Sequence, residues 1–91
     1  MKYTVFYEKE ALKQLEKLNK ETSDRIITWI NKNLEGCDDP RRIGKPLKGN
    51  QAGTWRYRIG DHRVLAKIED KKLIIVVVGT GHRKKIYKKT S

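Results

Sequence analysis

The chain has 91 residues, of which 22 are Lys or Arg and 11 are Asp or Glu, giving a formal net charge of +11. Only 36% of residues are hydrophobic, and a chain this short buries roughly 60–65% of its unfolded surface, so its core is thin and no enclosed cofactor is expected. The longest apolar run, Leu73–Val78, is far below the ~20 residues that cross a bilayer. The stretch Tyr3–Tyr7 is too short for a signal peptide. One cysteine, Cys37, and two histidines, His62 and His82, provide neither a disulfide framework nor a metal site. One domain over residues 1–91, in a reducing cytoplasm and with no membrane contact, is the expectation.

The charge is unevenly spread. Residues 1–40 hold seven basic and eight acidic side chains, whereas residues 41–91 hold fifteen basic and three acidic ones. A surface that cationic repels itself and suits an anionic partner, of which nucleic acid is the commonest. A basic domain that adheres to polyanions without chemistry is the plainer alternative.

Residues 2–7 alternate and are β-branched or aromatic, which predicts a strand. Ala11, Leu12, Leu15 and Leu18 then recur at helical spacing, and Asn19-Lys20 ends that helix. Thr22, Ser23 or Asp24 can cap a second helix, whose stripe is Ile26, Ile27, Trp29, Ile30 and Leu34, with Gly36 as its C-terminal stop. The two helices should form an antiparallel hairpin. Residues 37–53 read as a basic loop punctuated by Pro40, Gly44, Pro46, Gly49 and Gly53. Three strands follow at 54–60, 62–69 and 72–78, joined by turns at Gly60-Asp61 and Asp70-Lys71. The last strand is apolar on both faces and so central. Gly79 and Gly81 then loosen the chain into a basic tail over 83–89 that has room for one short helical turn. The order β-α-α-β-β-β predicts an α+β fold with the helix pair on one sheet face and the last three strands antiparallel.

The period of two decides which side chains meet. Trp55, Tyr57 and Ile59 face the helices, as do Val64, Ala66 and Ile68, so Arg56 and Arg58 point the other way beside Arg63, Leu65 and Lys67. Three arginines then crowd one face at strand spacings of about 4.8 Å. A solvated face usually mixes signs, but the nearby acids here are only Asp61 and Glu69. Crowded like charges fit a polyanionic ligand. The tail adds His82, Arg83, Lys84, Lys85 and Tyr87 near the same place. Arg83 could clamp phosphate through two parallel bonds, and Tyr87 could stack on a base or exchange a proton. Trp29 and Trp55 read as core.

If the ligand is RNA, its 2′-hydroxyl can attack its own phosphate without a metal. The protein must then orient the hydroxyl, stabilise charge on the phosphorane and move two protons. Arginine provides charge but is a poor base. Tyr87 would need its pKa lowered, which neighbouring arginines do. His62 falls on the core side or in a turn, which leaves His82 as the spare proton-transfer group.

Three segments together resemble the RelE branch of the RelE/ParE toxin superfamily: Lys45-Pro46-Leu47-Lys48-Gly49, Trp55 through Val64, and Val78-Gly79 with Gly81 through Tyr87. The likeness covers essentially the whole chain. It implies a toxin of a type II toxin–antitoxin pair, a ribosome-dependent mRNA endoribonuclease that cuts in the 30S A site. The chemistry it implies is metal-independent 2′-hydroxyl attack leaving a 2′,3′-cyclic phosphate. It also implies a RelB-like antitoxin as inhibitor, with operator DNA reached only through that antitoxin. By the same resemblance Arg63 contacts the scissile phosphate, Arg83 stabilises the transition state or the leaving oxygen, and Tyr87 orients or activates the 2′-hydroxyl. Arg56, Arg58, Lys48, His82 and Lys84 complete the phosphate-binding candidates. Arg56 and Arg58 stand where the best-studied branch has lysines, so they stabilise charge and leave the proton shuttle unassigned. The competing reading is a ParE-like gyrase poison, and a third is a non-catalytic basic module.

Overall fold

In the computed structural model, which describes residues 2–82, the two sequence periods separate into a helix pair and a sheet. The elements are β1 (Thr4–Tyr7), α1 (Lys9–Lys17), α2 (Lys20–Asn33), β2 (Lys45–Pro46), β3 (Thr54–Ile59), β4 (His62–Glu69) and β5 (Ile74–His82), with a 3-10 turn at Gly49–Gln51. The sheet order is β1-β5-β4-β3-β2. β2 through β5 form an antiparallel meander, and β1 pairs parallel to β5. The α+β expectation holds, with β5 inside the sheet as its two-sided apolar pattern requires.

The helices cover one sheet face. Ala11 and Leu15 of α1, and Ile26 and Ile30 of α2 with Leu34 just beyond it, pack on Tyr57, Ile59, Val64, Ala66, Ile75 and Val77. Each fully buried Leu or Ile contributes about 1.5–3 kcal/mol, so this small set carries most of the burial. Leu12 differs from its expected place and is exposed, because Ala11 and Leu15 already fill the stripe that meets the sheet. α2 starts earlier than expected. Its cap is Asn19, whose side chain accepts from the Thr22 N–H at 2.8 Å, so Thr22, Ser23 and Asp24 lie inside the helix. Gly36 adopts φ +77 just past α2, and its N–H donates to the Tyr3 carbonyl.

The 37–53 loop is more ordered than its punctuation suggests. It contains the two-residue β2, whose Lys45 and Pro46 pair with Arg56 and Trp55. Two contacts fix it to the sheet. The Tyr57 hydroxyl donates to the Pro40 carbonyl at 2.6 Å in the interior, and burial raises its pKa above the ordinary phenol value. Arg41 makes two 2.9 Å bonds to Asp70, which also accepts from the Tyr3 hydroxyl at 2.7 Å. The Arg41 guanidinium also sits over the Trp55 ring. Both tryptophans are half-buried against the core, as expected.

β5 departs most from the sequence reading. It begins at Ile74, because Leu73 turns into the left-handed region at φ 54 and presents its carbonyl to the Thr4 N–H. It continues through Gly79 and Gly81 to His82, because β4 offers partners along that whole length. Leu65 pairs with Gly79 and Ala66 with Val77, so Val78 is an extra, bulged residue. The outer edge of β1 is closed: Tyr3 exchanges bonds with residues 36 and 37, and the Val5 N–H donates to the Glu35 carboxylate.

Two outcomes test this packing. A Cβ on Gly44 would sit 2.7 Å from Tyr57 Cε1, so Gly44→Ala should cost about 1–3 kcal/mol, read from urea unfolding by tryptophan fluorescence. The bonds from Arg41, and then from Tyr3, hold the Asp70 carboxyl below its ordinary pKa. Its contribution to stability is therefore full above the unfolded value of about 3.9 and is lost as pH falls through the lower folded value. In Asp70→Asn the urea midpoint should fall less steeply between pH 5 and pH 2 than in the parent; equal slopes would exclude this carboxyl as the source.

Candidate functional site

The sheet face away from the helices carries the arginines, and strand register places them. Arg58 of β3 pairs with Arg63 of β4, and Arg63 in turn pairs with Gly81 of β5. Arg56 pairs with Leu65 on one side and with Lys45 of β2 on the other. The face assignment from alternation is therefore correct for Arg56, Arg58 and Arg63. Lys45 is a further cation on this face that the sequence reading did not select.

Burial divides these residues. Arg58 is exposed and Arg56 is half-buried. Arg63 is 4% exposed, although it was expected on an open face. Its Nε and Nη1 are buried with no hydrogen-bond partner among the described residues. The other buried side-chain atoms of that kind are the neutral hydroxyls of Tyr7 and Thr80. A desolvated guanidinium with two nitrogens short of an acceptor costs several kcal/mol, so Arg63 is the point on this face where an anion gains most. Gly81, directly across from it, leaves that side open, since a Cβ there would meet nothing within 4 Å.

The β5 bulge sets which residues of that strand join the face. Unbroken alternation from Val77 would bring His82 to the arginine side and turn Gly79 and Gly81 inward. The extra residue at Val78 reverses this. Gly79 and Gly81 lie opposite Leu65 and Arg63, whereas Thr80 turns to the helix side, where its N–H donates to the Gln14 side chain at 2.7 Å. His82 pairs with His62, and their rings meet edge to face at 5.8 Å between centroids. His82 is thus placed with His62 and away from the arginines, a correction to its expected membership of the group. Lys48 is exposed just before the 3-10 turn and is not among the residues lining the cationic cavity described next. Arg83, Lys84 and Tyr87 lie outside the described residues.

A cavity of about 130 Å³ opens on this face, lined by Ile43, Lys45, Arg56 and Arg58. A larger one, of about 380 Å³, lies at the start of the 37–44 loop and mixes Lys2 and Arg42 with Asp38 and Asp39. Only the smaller one has a lining of a single sign. The signal for Lys45 was available in principle: it precedes the strand by a turn that brings position 45 opposite 56. A two-residue strand containing proline gives no alternation from which to read that register.

The chain is similar to known toxins. Residues 5–87 match the family model described as ParE toxin of type II toxin–antitoxin system, parDE. Toxin RelG of Mycobacterium tuberculosis is 33% identical over 89 residues, spanning 98% of this chain and 100% of the relative. The crystal structure of the toxin–antitoxin complex RelBE2 from the same organism superposes with a TM-score of 0.82 at 30% identity, covering 90% of this chain and 92% of the other. A free-state mutant of Escherichia coli toxin RelE shares the fold with a TM-score of 0.74 at 20% identity, over 97% and 93% of the two chains.

The burial of the Arg63 guanidinium has a measurable consequence without any ligand. Arg63→Met should raise unfolding stability by about 1 kcal/mol or more, whereas Arg58→Met, which removes the same net charge from an exposed position, should stay within about 0.5 kcal/mol. Urea unfolding at matched ionic strength reads the difference, and equal effects would remove the case for a buried, unsatisfied cation.

Proposed function

The chain belongs to the RelE/ParE superfamily of type II toxin–antitoxin toxins, and from that premise we propose that it is a ribosome-dependent mRNA endoribonuclease acting in the cytoplasm. The observation that supports this best is the buried guanidinium of Arg63 on a cationic sheet face, two of whose nitrogens have no partner among the described residues.

The chemistry asks little of the protein beyond geometry and charge. The RNA 2′-oxygen forms a bond to its own phosphorus, the bond to the 5′-oxygen breaks, and a 2′,3′-cyclic phosphate remains. One proton leaves the 2′-hydroxyl and one reaches the 5′-oxygen. Extra negative charge develops on the non-bridging oxygens between these events. A guanidinium already stripped of water, with two N–H groups unspent, stabilises that charge with no reorganisation at the moment of reaction. In this proposal Arg63 takes that role. Arg58 beside it adds positive charge. In the same proposal Arg83 serves the leaving oxygen and Tyr87 the 2′-hydroxyl, as the superfamily resemblance implies. The partners are the ribosome with its message, and a RelB-like antitoxin that covers the cationic face.

The family model's description names ParE, so a ParE-like toxin, which the superfamily resemblance reads as a poison of DNA gyrase, is the second reading. One experiment separates them. In a translation extract the toxin should truncate messages at ribosome-held codons, and a 2′-deoxy nucleotide at the cut site should abolish the cut. Arg63→Ala should lower the cleavage rate by about 10²–10³ while ribosome affinity falls much less, because binding charge is spread over many side chains. Arg83→Ala should also lose cleavage. Intact messages together with trapped gyrase–DNA complexes would establish the second reading instead.

A further inference from the structure

His62 and His82 are far apart in sequence, so their spacing carries no ligand signal. Strand register brings them side by side. His62 begins β4, His82 ends β5, and the two are direct cross-strand partners. The buried Ile59 of β3 pairs with His62 from the other side, so the three form one row on the helix side of the sheet. Arg58, Arg63 and Gly81 form the next row, on the opposite face. His82 is exposed and His62 is half-buried, which leaves this end of the row open to solvent.

The ring separation has a chemical reading. The imidazole centroids lie 5.8 Å apart. Two imidazoles that share one ion through bonds of about 2.0–2.1 Å hold their centroids within roughly 6.5 Å of each other. The histidine χ2 torsion is soft, so a modest ring rotation aims one nitrogen from each ring at a common point. A ligand imidazole spends its other nitrogen on a hydrogen bond, so the further contact that His82 makes is compatible with ligation. The fold already holds both side chains together, so little ordering entropy remains to be lost on binding. The net charge of +11 then selects among cations. Ions held mainly by charge are repelled, whereas those that bond strongly to neutral imidazole are retained.

We propose that His62 and His82 together bind one late first-row divalent metal ion, zinc or copper, which clamps the start of β4 to the end of β5. Water fills its remaining coordination positions. The ion is structural and takes no part in the RNA chemistry proposed above, and the proposal does not depend on that chemistry. Its effect is to fix the strand pair across which Arg63 meets Gly81.

The test uses the untagged full chain, stripped with chelator, and the metals alone. In calorimetric titration with Zn²⁺ the parent should take up one equivalent. His62→Ala and His82→Ala should each raise the dissociation constant by about tenfold or more, because the ion keeps only one of its two protein ligands. Cys37→Ser, which removes the soft ligand beside Asp38 and Asp39 in the large cavity, should leave the constant within about twofold. His82 is exposed, so its replacement spares the core, and an unchanged urea midpoint in EDTA checks this. Cu²⁺ gives a readout that needs no variant. Pulsed electron paramagnetic resonance of the parent with one equivalent should count two coordinated imidazoles. No uptake by the parent, a count of one imidazole or none, uptake that survives both histidine substitutions, or uptake abolished by Cys37→Ser would each overturn the proposal.

Discussion

A guanidinium taken out of water, with two of its nitrogens lacking a partner among the described residues, is the constraint around which this sheet face is arranged. Arg63 is the second residue of β4, set between neighbours on both adjacent strands, Arg58 on one side and Gly81 on the other. Nothing in the thin core benefits from that arrangement. Strands β3, β4 and β5 would pair as well around an apolar residue at position 63, with less cost. The burial, and not the count of basic residues, separates this face from an ordinary solvated one. An exposed arginine offers an anion only what water already offers, whereas a desolvated one offers more.

Holding such a group requires a rigid support on the opposite side. The helix pair provides it by packing Leu15, Ile26, Ile30 and Leu34 against the inner side chains of the sheet. The long connection after α2 is fastened separately, by the Tyr57 hydroxyl on the Pro40 carbonyl and by Arg41 on Asp70. Those fastenings bring Lys45 into register with Arg56, so a stability feature on one side of the sheet determines a charge pattern on the other. Asp70, one of the three acids after residue 40, is occupied by Arg41 at the end of β4. The cations on the open face are left without it.

Most of the architecture was legible because β3, β4 and β5 each bury the face that meets the helices. Alternation then fixes the partition of Tyr57 and Val64 from Arg58 and Arg63, and a slip by one residue would expose the whole apolar set. What alternation cannot report is what lies over a face, so the burial of Arg63 had no sequence signal. Nor can it anticipate a bulge. Val78 is apolar like its neighbours, and only its pairing reveals it as the extra residue that turns His82 away and brings Gly81 opposite Arg63. Asn19 reads as well as a helix stop as a helix cap, since both uses suit a short polar side chain, and local sequence does not choose between them.

The same bulge bears on the chemistry. Glycine in the interior of a strand weakens it, yet β5 keeps Gly79 and Gly81 opposite Leu65 and Arg63. With the bulge in place, the strand has no side chain where a ligand would approach Arg63 from β5, while Val77 and Thr80 on either side of it still face the helices. Without it, the glycines would face the core and leave gaps there, and Thr80 and His82 would crowd the arginine. A stretch of β5 with no side chain beside Arg63 and a filled core are therefore met by one extra residue, and the cationic face is an outcome of strand register as much as of residue type.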